Sequence, residues 1–343
     1  MKNWDLLTQK EKCDVMDGMV ISRQSLSRIN KKMLLRAEDP AIESSKYGVF
    51  NPTCCYHNGM VHSLIRSEPN DKTWQGHFLE HKAVPLYAES EIRNKTIQLD
   101  GIRAIETGMP AACRPEDWRL FSHNGTLYTN FTNYFYFNKG WPQKQTMSRT
   151  ALGMVSDDGI IFLRELDASS QLEMQREEKN WVFFSENREL FCVYSIEPFV
   201  VLNCDSTGRV KRSMTQNIKL PRLGNRYIAN STNPILVNLA GMGKVYLMFV
   251  HQFFTPLGNG QRNRTYYQHA LIFSQNDHRP IAWTPKPIAG GGSHLEGRHN
   301  GVVYFSGALE DKNDILVMAG EGDSHSSQYT IPKQEIINNL QAI

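Results

Sequence analysis

The stretch CRPEDWRLFSHNGTLYTNFTNYF, residues 113–135, decides the fold. It opens on a polar leader, Glu116 with Asp117 and Arg119, and passes into a short apolar and aromatic run. Asn124-Gly125 follows, a pair that accepts the positive φ angles of a type I′ hairpin turn. A longer segment rich in threonine and aromatics completes the unit, a composition that suits a pleated, half-buried strand. The same order of parts recurs in GVFNPTCCYHNGMVHSLIRSEP from Gly48, EKNWVFFSENRELFCVYSIEPFVV from Glu178, NSTNPILVNLAGMGKVYLMFVHQFF from Asn230 and HLEGRHNGVVYFSGALEDKNDILVMAG from His294. The starts lie about 50–65 residues apart, the period of four-stranded sheets set radially around a channel.

Five copies predict an all-β chain, a five-bladed β-propeller with a short helical N-terminal extension. A β-sandwich also shows hairpins at regular spacing, but it gives no reason to put polar residues before the first strand of every unit. In a propeller those leaders meet at one end of the channel. They are Asn51, Glu116 with Asp117 and Arg119, Lys179 with Asn180, Thr232 with Asn233, and Glu296. The division is residues 1–45 as the helical extension and 46–343 as the catalytic propeller. Within the extension Leu26, Ile29, Met33 and Leu34 fall at helical spacing, and RINKKMLLR (28–36) reads as the solvated face of a short helix rather than a phosphate-binding arm. Helical periodicity returns in PKQEIINNLQAI, residues 332–343, as one closing helix.

Composition excludes several classes. With 343 residues and 40% hydrophobic content the chain can bury a sizeable core, yet no window holds the roughly 18 apolar residues of a membrane span. Charges interrupt the N-terminus where a secretion signal needs an apolar core, so the expected location is cytoplasmic. The N-x-[ST] sequences at Asn94, Asn124, Asn130, Asn230 and Asn263 are then chance. Six cysteines, two of them adjacent at Cys54 and Cys55, make no disulfide framework. Neither a C-x-x-C pair nor an H-E-x-x-H helix is present, so no metal and no cofactor are expected. A net charge of +3 is too mild for a nucleic-acid binder. The glycine-rich IAGGGSHLEGRHNG (288–301) has no helix after it and reads as a flexible loop beside the site, not a phosphate-cradling turn.

Carboxylates, amides and cations around one cavity suit carbohydrate, because sugar hydroxyls need donors and acceptors together and glycosyl transfer needs a positioned acid. Trp118, Trp141, Trp181, Tyr134 and Tyr136 stand near the leaders, either as core or as surfaces on which a sugar ring can stack.

On these residues the chain resembles a known family. FNP with a hairpin ending in LIR (Asn51, Arg66), PEDWR (Glu116, Asp117, Arg119), EKNW (Lys179), a histidine ending a strand (His251) with Tyr266 and Tyr267 beyond it, and FSGALE leading to GEGD (Asp323) are similar, in order, to glycoside hydrolase family 130. That family comprises inverting β-mannoside phosphorylases and mannosidases, with related mannosyltransferases on the same five-bladed propeller. The similarity spans about residues 48–330. It implies Asp117 as the catalytic acid or base, from the position matching the Asp of the family's E-D-P-R motif. It implies a phosphate held by Lys179, His251 and a tyrosine at 266 or 267, of which Tyr267 is taken, and sugar hydroxyls held by Arg66 and Asp323. Arg149, Lys179, His251 and Arg264 offer positive charge to a phosphate or nucleotide diphosphate, and Asn51, Glu116, Arg119, Asn233 and Glu296 complete the sugar pocket. The alternative for Asp117 is an ion pair with Arg119 that braces a blade. His269 reads as a satisfied strand histidine.

Two departures bear on substrate. Trp118 stands where the motif has Pro, and EKNWVFF around Lys179 is closer to the transferase-type relatives. The expected partners are therefore a carbohydrate acceptor and a sugar phosphate or GDP-mannose-type nucleotide sugar. Two alternatives stay open: a hydrolase, for which Glu197, Glu296 or Asp323 would activate water, and a non-catalytic glycan-binding propeller.

Overall fold

A computed structural model describes residues 9–24, 27–36, 47–69, 83–109, 114–137, 145–220, 227–254, 264–291, 299 and 301–343. Among the described residues the chain is all-β with two short α-helices, in a propeller-like arrangement. Four blades each contain an uninterrupted meander of four sequential strands. The first is Tyr47–His57, Met60–Pro69, Val84–Arg93 and Thr96–Ala104; the second is Arg114–His123, Thr126–Phe137, Gln145–Ser156 and Gly159–Glu165. The third is Val182–Glu186, Glu189–Ile196, Phe199–Cys204 and Val210–Gln216; the fourth is Ile235–Leu239, Gly243–Phe254, Thr265–Ser274 and Pro280–Trp283, with short Ile228–Asn230 added at its inner end. A further sheet is made differently. Val303–Asp311, Asp314–Glu321 and His325–Pro332 supply three strands, and the outer fourth is Asn30–Leu35 from near the start of the chain.

That strand corrects the expected helix over residues 26–34. Asn30 pairs with Thr330, Lys32 with Gln328 and Leu35 with Ser326, antiparallel. The last sheet would otherwise expose an unpaired row of backbone N–H and C=O groups along His325–Pro332, and pairing satisfies both sides. Helical spacing of four apolar residues offers no comparable return. Helix is present elsewhere in the extension, at Gln9–Met19 and in a 3₁₀ turn at Ile21–Arg23, and the closing helix forms over Lys333–Asn338. Of these helices none is long and apolar enough to cross a membrane.

Apolar side chains fill the spaces between neighbouring sheets. Leu64 and Tyr87 meet Trp118 and Phe131 between the first and second; Phe121 and Leu152 meet Phe183 and Cys192 between the second and third. Phe199 meets Phe273 and Trp283 in the next space, and Phe249 meets Phe305 and Tyr329 in the one after. Cys54 and Val61 with Leu316 and Met318 join the last sheet back to the first. Burying these faces on both sides of every sheet is the main stabilising term.

Three of the five innermost strands share one irregularity. The ladder slips between Phe50 and Thr53, between Glu116 and Arg119, and between Phe305 and Gly307. Such bulges re-aim the side chains at the slip. Asn51 (φ 51°) and Asp117 (φ 54°) sit in two of them in the left-handed region, and Asn180 (φ 62°) takes the same conformation just before the third inner strand. Asn and Asp tolerate that region where most residues do not. Gly320 makes room for the first bulge: a Cβ there would come within 2.0 Å of Asn51 Oδ1 and 2.6 Å of its backbone N.

Candidate active site

The first two bulges bring Asn51 and Asp117 to the wall of a cavity of about 420 Å³. Its lining draws on every sheet: Asn51 and Arg66; Glu116, Asp117 and Tyr134; Lys179 and Asn180; His251, Arg264 and Tyr266; and Tyr304 with Asp323.

Arg66 is the organising cation. Its Nε donates to Glu68 Oε1 at 2.7 Å, its Nη2 reaches Glu68 again and lies 3.0 Å from Glu116 Oε2, and its Nη1 donates to Asp117 Oδ1 at 2.9 Å. Asn51 Nδ2 donates to the same Asp117 oxygen at 2.7 Å. Burial opposes ionisation of Asp117, but Arg66, Arg119 and the Asn51 amide outweigh it and hold the carboxyl below its ordinary value. Its neighbour behaves in the opposite way. Burial, with Glu68, Asp117 and Asp323 adding negative charge, pushes Glu116 up to about 7 despite Arg66. Three carboxylates share one guanidinium, so one of them keeps a proton near neutrality. Burial also raises Asp323, which lies 3.9 Å from His299 Nε2.

Arg119 does not face the cavity. It lies beneath, donating Nε to Ser231 O at 2.8 Å, Nη1 to the backbone O of Asp117 at 3.1 Å, and Nη2 to Asn180 Oδ1 at 3.1 Å and to the Tyr304 hydroxyl. It therefore braces the bulge that carries Asp117, through the backbone and not through a carboxylate pair. His251 lines the cavity with Nδ1 3.0 Å from Ser231 Oγ, whose proton goes to Gln268 Oε1 at 2.9 Å. Nδ1 is then the protonated nitrogen. Burial first, then Arg119 and Lys179, lower His251 to about 3, so it is a neutral imidazole and contributes no positive charge.

Several expected site residues stand elsewhere. Tyr267 points to the opposite face of its strand from Tyr266, with its hydroxyl donating to Asp17 Oδ1 at 2.9 Å under the N-terminal helix. Alternation along a strand decides between the two, and Tyr266 is the one in the cavity. Asn233 is a tie between inner strands: Oδ1 accepts from Phe183 N at 2.9 Å and Nδ2 donates to Leu120 O at 2.9 Å. Arg149 Nη1 is spent on the carbonyls of Ser148, Gln175 and Arg176. Glu296, Trp141 and most of the glycine-rich loop lie outside the described residues. Trp118 and Trp181 are core, each 1% exposed, and His269 donates Nδ1–H to Thr284 O at 2.8 Å.

No protein-family model matches the chain, and no curated protein sequence matches it. Solved structures do. The β-1,2-mannobiose phosphorylase of Listeria innocua, in complex with β-1,2-mannobiose, superposes with a TM-score of 0.63 at 14% identity, covering 91% of this chain and 99% of that one. MPT-1, a GDP-Man-dependent mannosyltransferase from Leishmania mexicana, gives 0.62 at 12% identity over 95% of each chain. MPT-4, a mannose phosphorylase from the same organism in complex with phosphate ion, gives 0.57 at 12% identity over 97% and 96%.

The chain has the fold of the mannoside phosphorylases.

Within that fold the resemblance read from short motifs is to the same group of proteins. Tyr304, His299 and Val302 were not among the residues singled out from the sequence. For Tyr304 a signal was present, because VYFS alternates and Ser306, two residues on, also turns inward to donate to Pro52 O at 2.7 Å. Among the described residues no group of three or more His, Cys, Asp or Glu is arranged to hold a metal ion.

Proposed function

We propose that this chain is an inverting glycosyl-transferring enzyme that acts on β-mannosides or a close analogue, with a sugar phosphate or GDP-mannose-type nucleotide sugar as donor. In this reading its five sheets are the blades of a five-bladed propeller and its inner bulges carry the site. The observation that carries it is Asp117, hydrogen-bonded by Arg66 and Asn51, in the same cavity as Lys179 and Arg264. An ionised carboxylate is ready to act as a base. It takes the proton of an acceptor hydroxyl as that oxygen bonds to the anomeric carbon. The bond from that carbon to the phosphate oxygen breaks on the opposite face, and its electron pair leaves with the phosphate. Lys179 and Arg264 are positioned to stabilise that charge. Arg66, Asn51, Glu116 and Asp323 hold sugar hydroxyls, and Tyr266 and neutral His251 contribute hydrogen bonds to the phosphate.

The alternative of a hydrolase needs a second carboxylate to activate water, and Asp323 in the same cavity favours it to that extent. A non-catalytic platform is disfavoured because Asp117 and Lys179 line one cavity instead of facing separate cores. The test is incubation with mannose 1-phosphate or GDP-mannose and a mannose acceptor, and separately with β-mannobiose with and without phosphate. Donor-dependent extension or phosphate-dependent cleavage supports transfer. Release of free sugar irrespective of phosphate would move the assignment to hydrolysis, and inertness in every arm would leave the platform.

A further inference from the structure

The fourth sheet carries a row of aromatic rings that leads out of the cavity. Ile228 pairs with Gln252 and Phe253 with Tyr266, which puts Tyr227, Phe253 and Tyr266 side by side across three adjacent strands. Their ring centroids are 5.8 Å apart from Tyr227 to Phe253 and 5.6 Å from Phe253 to Tyr266. Neighbouring strands are about 4.8 Å apart, so the row reaches ~10 Å from the cavity wall. Tyr266 lines the cavity; Tyr227 is 56% exposed. An exposed tyrosine at the end of such a row offers an apolar ring with a polar tip, the kind of surface on which a sugar ring can stack.

Tyr227 also lines a second cavity, of about 170 Å³, between the third and fourth sheets. Lys179 and Asn180 line both, so the two lie side by side. The second differs in charge. Among the described residues of its lining, Glu177, Glu178 and Glu197 stand against a single cation, Lys179. Glu178 accepts from Trp181 Nε1 at 3.2 Å and the Tyr194 hydroxyl at 2.9 Å, and Glu197 Oε1 accepts from Leu220 N at 2.6 Å. This acidic surround repels phosphate or a nucleotide diphosphate, whereas aromatic faces beside carboxylates suit a neutral ligand with many hydroxyls.

We propose that the Tyr227–Phe253 row and the Glu177/Glu197 cavity form an extended subsite for the neutral sugar units of an oligosaccharide acceptor, beyond the unit that occupies the main cavity. It rests on the functional reading above and narrows it: the preferred acceptor is a chain rather than a single sugar, and the donor's phosphate lies on the other side of Lys179.

Titration calorimetry of the whole protein with β-linked mannose oligosaccharides of one to four units tests it, with wild type, Tyr227→Ala and Tyr227→Trp, and with GDP as a separate probe. Affinity should rise with chain length in wild type. Tyr227→Ala should remove roughly 3- to 10-fold of that gain, the range expected for one lost aromatic contact, and Tyr227→Trp should restore it. If short mannosides bind but length adds nothing, or if Tyr227→Ala weakens GDP and spares the oligosaccharides, the subsite is refuted while the functional reading stands. If no mannoside of any length binds, both fall.

Discussion

Asn51 Nδ2 lies 2.7 Å from Oδ1 of Asp117, a hydrogen bond between the bulges of two different inner strands. Both residues have positive φ, so the contact depends on two backbone distortions that each blade makes separately. It joins the first sheet to the second at the point where the proposed chemistry occurs.

Replacing Asp117 with Asn removes the base and keeps the shape. Turnover should fall by about 10²- to 10⁴-fold, with the melting temperature within a few degrees of wild type. Retention of more than about a tenth of the activity would remove Asp117 from its assigned role.

Asn51→Gly preserves the backbone conformation and deletes the donor to Asp117. Because the amide favours the charged carboxylate, its loss raises the Asp117 pKa. The acid limb of the pH–rate profile should then move to higher pH. An unmoved limb means that another group controls it.

Gly320→Ala brings a methyl within 2.0 Å of Asn51 Oδ1. Relief requires the first bulge to shift, so the expected cost is about 1–3 kcal/mol in a denaturant titration, with a loss of activity greater than the loss of folded protein. Activity that merely tracks the folded fraction would separate Gly320 from the site.

Glu116 sets a pH dependence of stability. Its carboxyl is raised to about 7 in the folded chain from an ordinary value near 4.5, so the folded state binds more protons between those values. That contribution is fully present below the unfolded pKa and is lost as pH rises through about 7. Asp117, shifted down, contributes in the opposite sense: its stabilisation is present above the ordinary carboxylate value and is lost only as the pH falls into the acid range. Melting temperatures between pH 5 and pH 8 should therefore decline less steeply in Glu116→Gln than in wild type. Parallel curves would place the proton elsewhere in the cluster.

The strands and their polar leaders were legible because alternation, turn pairs and leader order are local properties of the chain. What failed was what depends on partners distant in sequence. Residues 30–35 have a helical apolar pattern, and only the unpaired edge of residues 325–332, nearly three hundred positions away, makes them a strand. Asn233 reads as a site amide, but its two neighbours, Leu120 and Phe183, belong to other sheets and take both ends of its side chain. Tyr266 and Tyr267 differ by one step of alternation, which motif order does not resolve. The charge on His251 depends on burial and on Arg119 and Lys179, none of which is adjacent to it in the chain.

The pairing of Asn30–Leu35 with His325–Pro332 has a consequence for how the protein comes into being. During synthesis Asn30–Leu35 must wait without this partner until residues 325–332 have left the ribosome. The cavity takes its lining from residues 51 to 323, so a nascent chain that has not reached Asp323 carries an incomplete wall. One clasp thus joins segments nearly three hundred positions apart, beside the sheet that gives the pocket Tyr304 and Asp323.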